Sequence, residues 1–184
     1  NPDKGDDTRA YPPFINKQSS YFMSTNRNKK SITLDLKARE GQEILHRLAT
    51  KSDVVLENFR PGVTERLAAD YKTLVKVNPR LIYCSISSFG QTGPYAEKPG
   101  YDLIIQGMGG LMGITGEPNG PPIRIGVAIT DLGAGMWATI AILAALQARE
   151  RDGKGQYLDI SMMDGSIAWM TYVAGNYFAT GKVP

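Results

Sequence analysis

The chain has 184 residues, enough for one domain of ordinary size with a substantial core. Hydrophobic residues make up 42% and charged residues 21%, which is typical of a globular protein and excludes a disordered one. The net charge of +3 is too small to indicate a nucleic acid partner, so we expect none. The longest apolar run, around residues 136–146, is too short to span a bilayer, so we expect no membrane partner.

The sequence contains one cysteine, Cys84, and one histidine, His46. A lone cysteine excludes an internal disulfide and fits a reducing compartment, so we expect a cytoplasmic protein, or a mitochondrial matrix protein if the source is eukaryotic. Cys84 lies in an apolar run and is predicted to be a buried core thiol. A single histidine excludes a multi-histidine metal site, and His46 is predicted to lie on a helix surface. We expect neither a metal nor a tightly bound cofactor.

Residues 1–20 are polar and loop-like. From residue 31 onward, runs with strand periodicity alternate with runs of helical spacing. The predicted elements, in chain order, are strand 31–36, helix 38–51, strand 53–57, helix 63–77, strand 81–87, helix 101–113, helix 131–149, strand 156–160 and helix 162–178.

This alternation predicts the α/β class, with a mainly parallel, Rossmann-like sheet that carries helices on both faces. Ligands of such sheets bind beyond the carboxyl ends of the strands. Three segments occupy that position: 58–66, 87–93 and 161–164.

Asp164 follows the last predicted strand and lies in the first turn of the next helix. Ser161 and Asp164 have the spacing of a capping box, in which the acid stabilises the helix start. A carboxylate held ionised by the helix N-terminus is also what attack on an acyl carbonyl requires. From local sequence alone, the capping role is favoured over the nucleophilic one.

The turn Asn58-Phe59-Arg60 joins a predicted strand to a helix. Its aromatic ring, amide and cation could stack a base and bind phosphate, or the turn could be an ordinary Pro-Gly turn with a solvated arginine. Arg66, one helical turn after Gly62, could reach the same ligand or lie in water. A local basic cluster (Arg27, Lys29, Lys30 and Lys37) is a further candidate for a phosphate contact.

Taken together, these stretches resemble the class III CoA-transferase family, which includes formyl-CoA transferase, carnitine CoA-transferase and the 2-methylacyl-CoA racemases. The runs that carry the resemblance occur in family order over nearly the whole chain. They are Gly5-Asp6-Asp7-Thr8-Arg9, Asn26-Arg27-Asn28-Lys29-Lys30-Ser31-Ile32, Glu57-Asn58-Phe59-Arg60-Pro61-Gly62, Ser88-Phe89-Gly90-Gln91-Thr92-Gly93-Pro94, Gly100-Tyr101-Asp102, Asp131-Leu132 and Gly153-Lys154-Gly155-Gln156.

The resemblance implies an acyl-CoA:carboxylate CoA-transferase in which Asp164 corresponds to the family's catalytic aspartate. Its carboxylate would attack the acyl-CoA thioester to give an aspartyl anhydride, then an aspartyl-CoA thioester, before an acceptor carboxylic acid takes the CoA. Coenzyme A and acyl-CoA are expected as substrates. The resemblance also implies which residues bind CoA: Leu34, Lys37, Asn58, Phe59, Arg60, Arg66, Lys98 and Tyr101.

Tyr101 stands where the racemase branch has a histidine that exchanges protons, so the transferase is favoured over 2-methylacyl-CoA racemase. A further alternative is a non-catalytic CoA-binding fragment or subunit. The resemblance implies that residues 1–184 form the central part of the family's large CoA-binding domain. The first strand–helix–strand unit and the small C-terminal domain would lie outside it. It also implies an interlocked homodimer for the full-length protein.

Overall fold

The computed structural model describes residues 5–184. The chain divides into two compact units, of which the first ends at Leu45 and the second runs from His46 to Pro184. Helix α2 (Arg39–Ala49) begins in the first unit and ends in the second.

The first unit contains short elements where a loop was predicted for residues 1–20. The side chain of Asp6 caps a 3-10 helix (Asp7–Ala10) by accepting a hydrogen bond of 2.8 Å from the N–H of Thr8. Strands β1 (Phe14–Ile15) and β2 (Gln18–Ser19) then form a hairpin that leads into α1 (Ser20–Thr25). Their stability depends on local caps and on an antiparallel pairing, which hydrophobic periodicity does not report.

The predicted strand at 31–36 is wrong, because this segment has no regular strand structure. Its alternating pattern fits a strand, but a strand is stable only when a neighbour completes its hydrogen bonds. Within residues 5–184, no strand pairs with this segment.

The second unit is built on three parallel strands in the order β3 (Val54–Glu57), β4 (Ile82–Ser87) and β5 (Tyr157–Ser161). Cys84 pairs with Leu56 on one side and Leu158 on the other, so β4 is central. All but one of the β4 residues are buried, as expected for a parallel strand covered on both faces. Cys84 is fully buried, and this burial raises the pKa of its thiol to about 11.

Helices connect and flank these strands. The predicted helix 63–77 is two helices, because Asp70 caps the second one by accepting from the N–H of Thr73 at 3.1 Å. The predicted helix 162–178 is also two helices, divided after residue 168. The helices of this unit are α3 (Val63–Arg66), α4 (Tyr71–Val77), α5 (Asp102–Met108), α6 (Ile129–Asp152), α7 (Met162–Ala168) and α8 (Thr171–Thr180), with a 3-10 helix at Leu111–Ile114.

Each face of the sheet has its own apolar core. On one face, Tyr83 packs with Ala49 of α2 and Leu74 of α4. On the other, Ile86 packs with Ile105, Ala134 and Met162, which belong to α5, α6 and α7. Tyr83 and Ile86 point to opposite faces, since successive strand residues alternate. The predicted α/β class, parallel sheet and helices on both faces are therefore confirmed.

Helix α6 is longer than the apolar run at 136–146 suggested. It has 24 residues, and by length and composition it could cross a membrane. The prediction that this apolar segment is too short to span a bilayer is therefore wrong. Small residues along one side, including Gly133, Ala134 and Ala138, are buried. This side packs against β4, β5, α5 and α7, but only 28% of the apolar window is buried, whereas a core helix that passes the same length test is mostly buried.

We predict that Gly155→Ala destabilises the protein. A Cβ atom at residue 155 would overlap the backbone carbonyl of Leu81, where the segment leading into β5 lies directly against the start of β4. Backbone atoms cannot rotate away, so we expect the free energy of unfolding to fall by about 1–3 kcal/mol in a denaturant titration.

Gly175→Ala is the matched control, because a Cβ at this helical position meets nothing within 4 Å. Alanine is the better helix former, so the control should be neutral or stabilising by up to about 1 kcal/mol. Equal losses in the two variants would show that the close approach at Gly155 is not the cause.

Candidate active site

The turn after β3 is held in place by two hydrogen bonds from its own residues. The side-chain amide of Asn58 donates to the carbonyl of Ile86 on β4 at 2.7 Å. The backbone N–H of Phe59 donates to the Glu57 carboxylate, also at 2.7 Å. Asn58, Phe59 and Arg60 are nevertheless exposed, so the turn presents an aromatic ring and a cation on a fixed backbone.

A second segment, Lys98–Tyr101, is fixed by the residue that follows β4. The hydroxyl of Ser88 donates to the carbonyl of Gly100 at 2.6 Å. A Cβ at Gly100 would lie 2.9 Å from the Cβ of Ser88, so only glycine allows this approach. The carbonyl of Ser88 in turn accepts from the N–H of Met163 in α7 at 3.0 Å. Tyr101 follows this anchor and is 78% exposed.

The first turn of α6 brings a carboxylate, Asp131, next to these two segments. The preceding residue, Thr130, is buried, and its N–H donates to Asp102 of α5 at 2.9 Å. Asp131 therefore extends from a helix start whose backbone is bonded to a neighbouring helix.

These three segments enclose one cleft of about 490 Å³ at the carboxyl ends of the strands. This volume lies within the range of small-molecule and cofactor sites. Arg60 and Lys98 supply positive charge, and Asp131 and Glu97 supply negative charge. Five of the residues predicted to bind CoA line this cleft: Asn58, Phe59, Arg60, Lys98 and Tyr101.

The environment of Asp131 disfavours its charged form. Partial burial at the cleft wall, and then the negative charge of Asp102, raise the pKa of the Asp131 carboxyl above its usual range. A carboxyl with a perturbed pKa inside a cleft is typical of a functional site.

Asp164 lies where it was predicted, in the first turn of the helix that follows β5, but it borders a different cavity. This cavity has a volume of about 320 Å³ and includes Trp137, Ile140 and Asp159. The hydroxyl of Ser161 caps α7 by accepting from the N–H of Asp164 at 3.1 Å. Within residues 5–184 the Asp164 carboxylate accepts no hydrogen bond, so only half of the capping box is formed.

The nucleophilic role of Asp164 stays a prediction, but its position does not associate it with the five cleft residues. The acids that the fold does bring to them are Asp131 and Glu97, and of the two Asp131 lies in the first turn of a helix. Sequence reasoning missed Asp131 as a candidate, although Asp131-Leu132 was one of the matching runs and began a predicted helix. Both aspartates occupy the first turn of a helix, so local sequence could not rank them.

Three other predicted CoA ligands belong to other segments of the chain. Arg66 is exposed in the last turn of α3, outside the cleft. Leu34 and Lys37 belong to the first unit, in the irregular segment before α2, where Leu34 is half-buried and Lys37 is exposed. Their roles stay predictions.

The lone histidine has a structural contact of its own. The Nε2 atom of His46 lies 2.7 Å from the carbonyl oxygen of Ala68, which leaves the ring engaged on α2. Among residues 5–184, no group of three His, Cys, Asp or Glu side chains is arranged to hold a metal ion.

Comparison with known proteins identifies the family of this chain. The model of CoA-transferase family III matches residues 1–184, the whole chain. The chain belongs to this family. It is 50% identical over its full length to the acetyl-CoA:oxalate CoA-transferase of Acetobacter aceti, of which it covers 47%. It is 46% identical, again over its full length, to the succinate–glutarate CoA-transferase of Agrobacterium fabrum, of which it covers 48%.

The fold of this family III chain has a close match among solved structures. A CAIB/BAIF family protein from Brucella suis superposes with a TM-score of 0.93 at 47% identity, over 98% of this chain and 49% of that one. The chain thus spans about half the length of the relatives that it matches. The α/β core with its parallel sheet is shared with these family III proteins.

We predict that Asp131→Asn stabilises the protein at neutral pH. Because folding raises the pKa of this carboxyl, protonation favours the folded state and ionisation disfavours it. The favourable contribution is fully present below the unfolded pKa of about 3.9, and it is lost as the pH rises through the raised folded pKa. Asparagine cannot ionise, so the free energy of unfolding should exceed that of the wild type at pH 7, and the difference should shrink in acid.

Urea titrations at several pH values between 3 and 7 would measure this difference. Glu117→Gln, which removes a carboxylate from the exposed loop before α6, is the matched control and should change stability by less than about 0.5 kcal/mol. A gain for Asp131→Asn that did not vary with pH would contradict the ionisation argument.

Proposed function

We propose that the protein containing this chain is an acyl-CoA:carboxylate CoA-transferase and that the cleft beside the Asn58-Phe59-Arg60 turn binds its acyl-CoA. One observation carries the proposal: the fold gathers an exposed aromatic ring, two cations and the carboxylate of Asp131 into one cleft. Phe59 can stack the adenine, and Arg60 and Lys98 can neutralise phosphates. The family III relatives support the reaction class.

Asp131 is the acid best placed to react. Its carboxylate oxygen would attack the thioester carbonyl carbon; a C–O bond forms, the C–S bond breaks and CoA leaves as a thiolate. The thiolate then attacks the aspartyl carbonyl of the anhydride and releases the first carboxylic acid. An acceptor carboxylate attacks the resulting aspartyl-CoA thioester, breaks its C–S bond and gives a second anhydride and free CoA thiolate. The thiolate then attacks the acceptor's acyl carbon, forms the new acyl-CoA and releases the Asp131 carboxylate. Covalent catalysis divides one difficult acyl exchange into several easier steps.

The relatives' names suggest a class of substrate. They are named for oxalate, succinate and glutarate, which are dicarboxylic acids. We infer that the acyl donor and acceptor of this protein are dicarboxylic acids or their CoA thioesters. The proposal extends to a cytoplasmic or mitochondrial enzyme that acts as an interlocked homodimer.

A second candidate function is 2-methylacyl-CoA racemase, which the same cleft could serve as an acyl-CoA site. Racemisation needs one group to remove a proton and another to return it from the opposite face. Tyr101 occupies the cleft position that the family resemblance assigns to the racemase histidine, and the only histidine, His46, contacts the carbonyl of Ala68 instead. The geometry therefore favours transfer over racemisation.

Asp131→Ala should abolish transfer in the full-length protein, because no oxygen remains to accept the acyl group. We expect the turnover rate to fall by at least about 10³-fold while CoA binding changes only a few-fold. Mass spectrometry of protein incubated with succinyl-CoA should show an adduct on the peptide containing Asp131, and the variant should lack it.

Asp164→Ala is the matched comparison, since it removes an equivalent first-turn carboxylate from the neighbouring cavity. It should retain both the adduct and most of the activity. An adduct on the peptide containing Asp164 would reverse the assignment. Binding of CoA without any adduct in the wild type would indicate a non-catalytic CoA-binding protein.

Arg60→Ala should weaken CoA binding by at least about 10-fold, because it removes a cation whose charge-assisted hydrogen bonds are typically worth about 1.5–3 kcal/mol. Arg66→Ala removes the same charge from an exposed helix outside the cleft and should have little effect. Isothermal titration with CoA would compare the two variants. A larger loss for Arg66 would show that the phosphates extend toward α3.

A further inference from the structure

A second carboxylate, Asp102, lies behind the cleft rather than on its wall. It is the first residue of α5 and directly follows Tyr101. One of its oxygens, Oδ1, accepts hydrogen bonds from the N–H and the hydroxyl of Thr130, each at 2.9 Å. The other, Oδ2, accepts from the side-chain amide of Gln106 at 2.7 Å. Asp102 thus connects α5 to the residue immediately before Asp131.

The partners of Asp102 are among the most buried polar groups of the chain. Thr130 is 1% exposed and Gln106 is 0% exposed. The Gln106 amide oxygen accepts from the N–H of Ile125 at 2.8 Å, which extends the network into the segment that leads to α6. Hydrogen bonds in a dry environment are costly to break, because the groups left behind find no water. The start of α6 and the segment before it are therefore held by three hydrogen bonds, two from Thr130 and one from Ile125.

We propose that Asp102 is a positioning residue that holds the Asp131 carboxylate at the acyl-CoA site and places a second negative charge behind it. This inference rests on the proposed function, since it takes Asp131 as the nucleophile. Orientation matters because a misplacement of about 1 Å can reduce an enzymatic rate by about 10²-fold. The orientation and the added charge both come from a group that need not contact the substrate.

The negative charge of Asp102 acts on the ionisation of Asp131. Asp102 is one of the two causes that raise the pKa of Asp131, after burial. The other charged side chains around Asp131 are those that line the cleft: Arg60, Glu97 and Lys98. A carboxylate of higher pKa is a stronger nucleophile as long as it is ionised at the working pH. Removing the charge of Asp102 should therefore let Asp131 ionise at lower pH and make it less reactive.

Asp102→Asn and Thr130→Val separate the two effects in the full-length enzyme. Asparagine keeps an oxygen for Thr130 but loses the charge, and its amide nitrogen cannot accept from Gln106 as Oδ2 does. We expect the acid limb of the kcat/KM profile to move to lower pH and kcat to fall about 10-fold, with KM for acyl-CoA within about 3-fold.

Thr130→Val keeps both charges but removes one bond to Asp102. It should lower kcat without moving the acid limb, and Thr130→Ser should restore kcat. Glu117→Gln is the charge-matched control.

A readout independent of turnover tests the placement itself. Carbon-13 NMR of the labelled Asp131 carboxyl should show titration at lower pH in Asp102→Asn than in the wild type. An unchanged titration, in an enzyme that does form the Asp131 adduct, would overturn this inference and leave the proposed function standing. A wild-type enzyme that forms no adduct on Asp131 would instead overturn the proposed function, and the catalytic role of Asp102 with it.

Discussion

The parallel pairing of β4 with β3 on one side and β5 on the other determines where everything else in the second unit lies. Parallel strands end at the same edge of a sheet, so the segments that follow them meet there. The Asn58 turn follows β3, Ser88 follows β4, and Met162 begins the helix after β5. All three contribute to the cleft, although they are separated by up to about a hundred residues of sequence. The buried, apolar character of β4 is what makes this pairing stable.

Side-chain hydrogen bonds then convert this edge into a defined site. Asn58 bonds to β4, Ser88 bonds to Gly100, and Asp102 bonds to the start of α6. Each contact joins two segments that lie far apart in the chain or on different elements, and each fixes a backbone that carries a cleft residue. A loop tethered in this way loses its conformational entropy on folding rather than on ligand binding. The exposed side chains of Phe59, Arg60 and Tyr101 are thereby presented in a cleft that is largely preformed.

The cleft also shows a conflict between stability and chemistry. Ionised Asp131 is disfavoured by burial and by the like charge of Asp102, so the folded protein is less stable at neutral pH than it would be with a neutral side chain. The same conditions give a carboxylate that is more basic than one in water, a property that helps the nucleophile of the proposed acyl transfer. Asp164, by contrast, lies on a helix whose start is capped by Ser161 and borders a mostly apolar cavity outside this cleft.

The sequence by itself determined the fold class, most of the helices and strands of the second unit, the family and five residues of the cleft. These follow from periodicity and from short ordered runs such as Glu57 to Gly62, which are local properties. Local patterns could not show that the segment 31–36 lacks a pairing partner, or that helix 63–77 is divided by the cap at Asp70. They also could not distinguish Asp131 from Asp164, because each is an acid in the first turn of a helix. Only the tertiary structure decided that Asp131 joins Arg60, Lys98 and Tyr101, since that choice depends on how α6 packs across the sheet and on the buried bonds between Asp102 and Thr130.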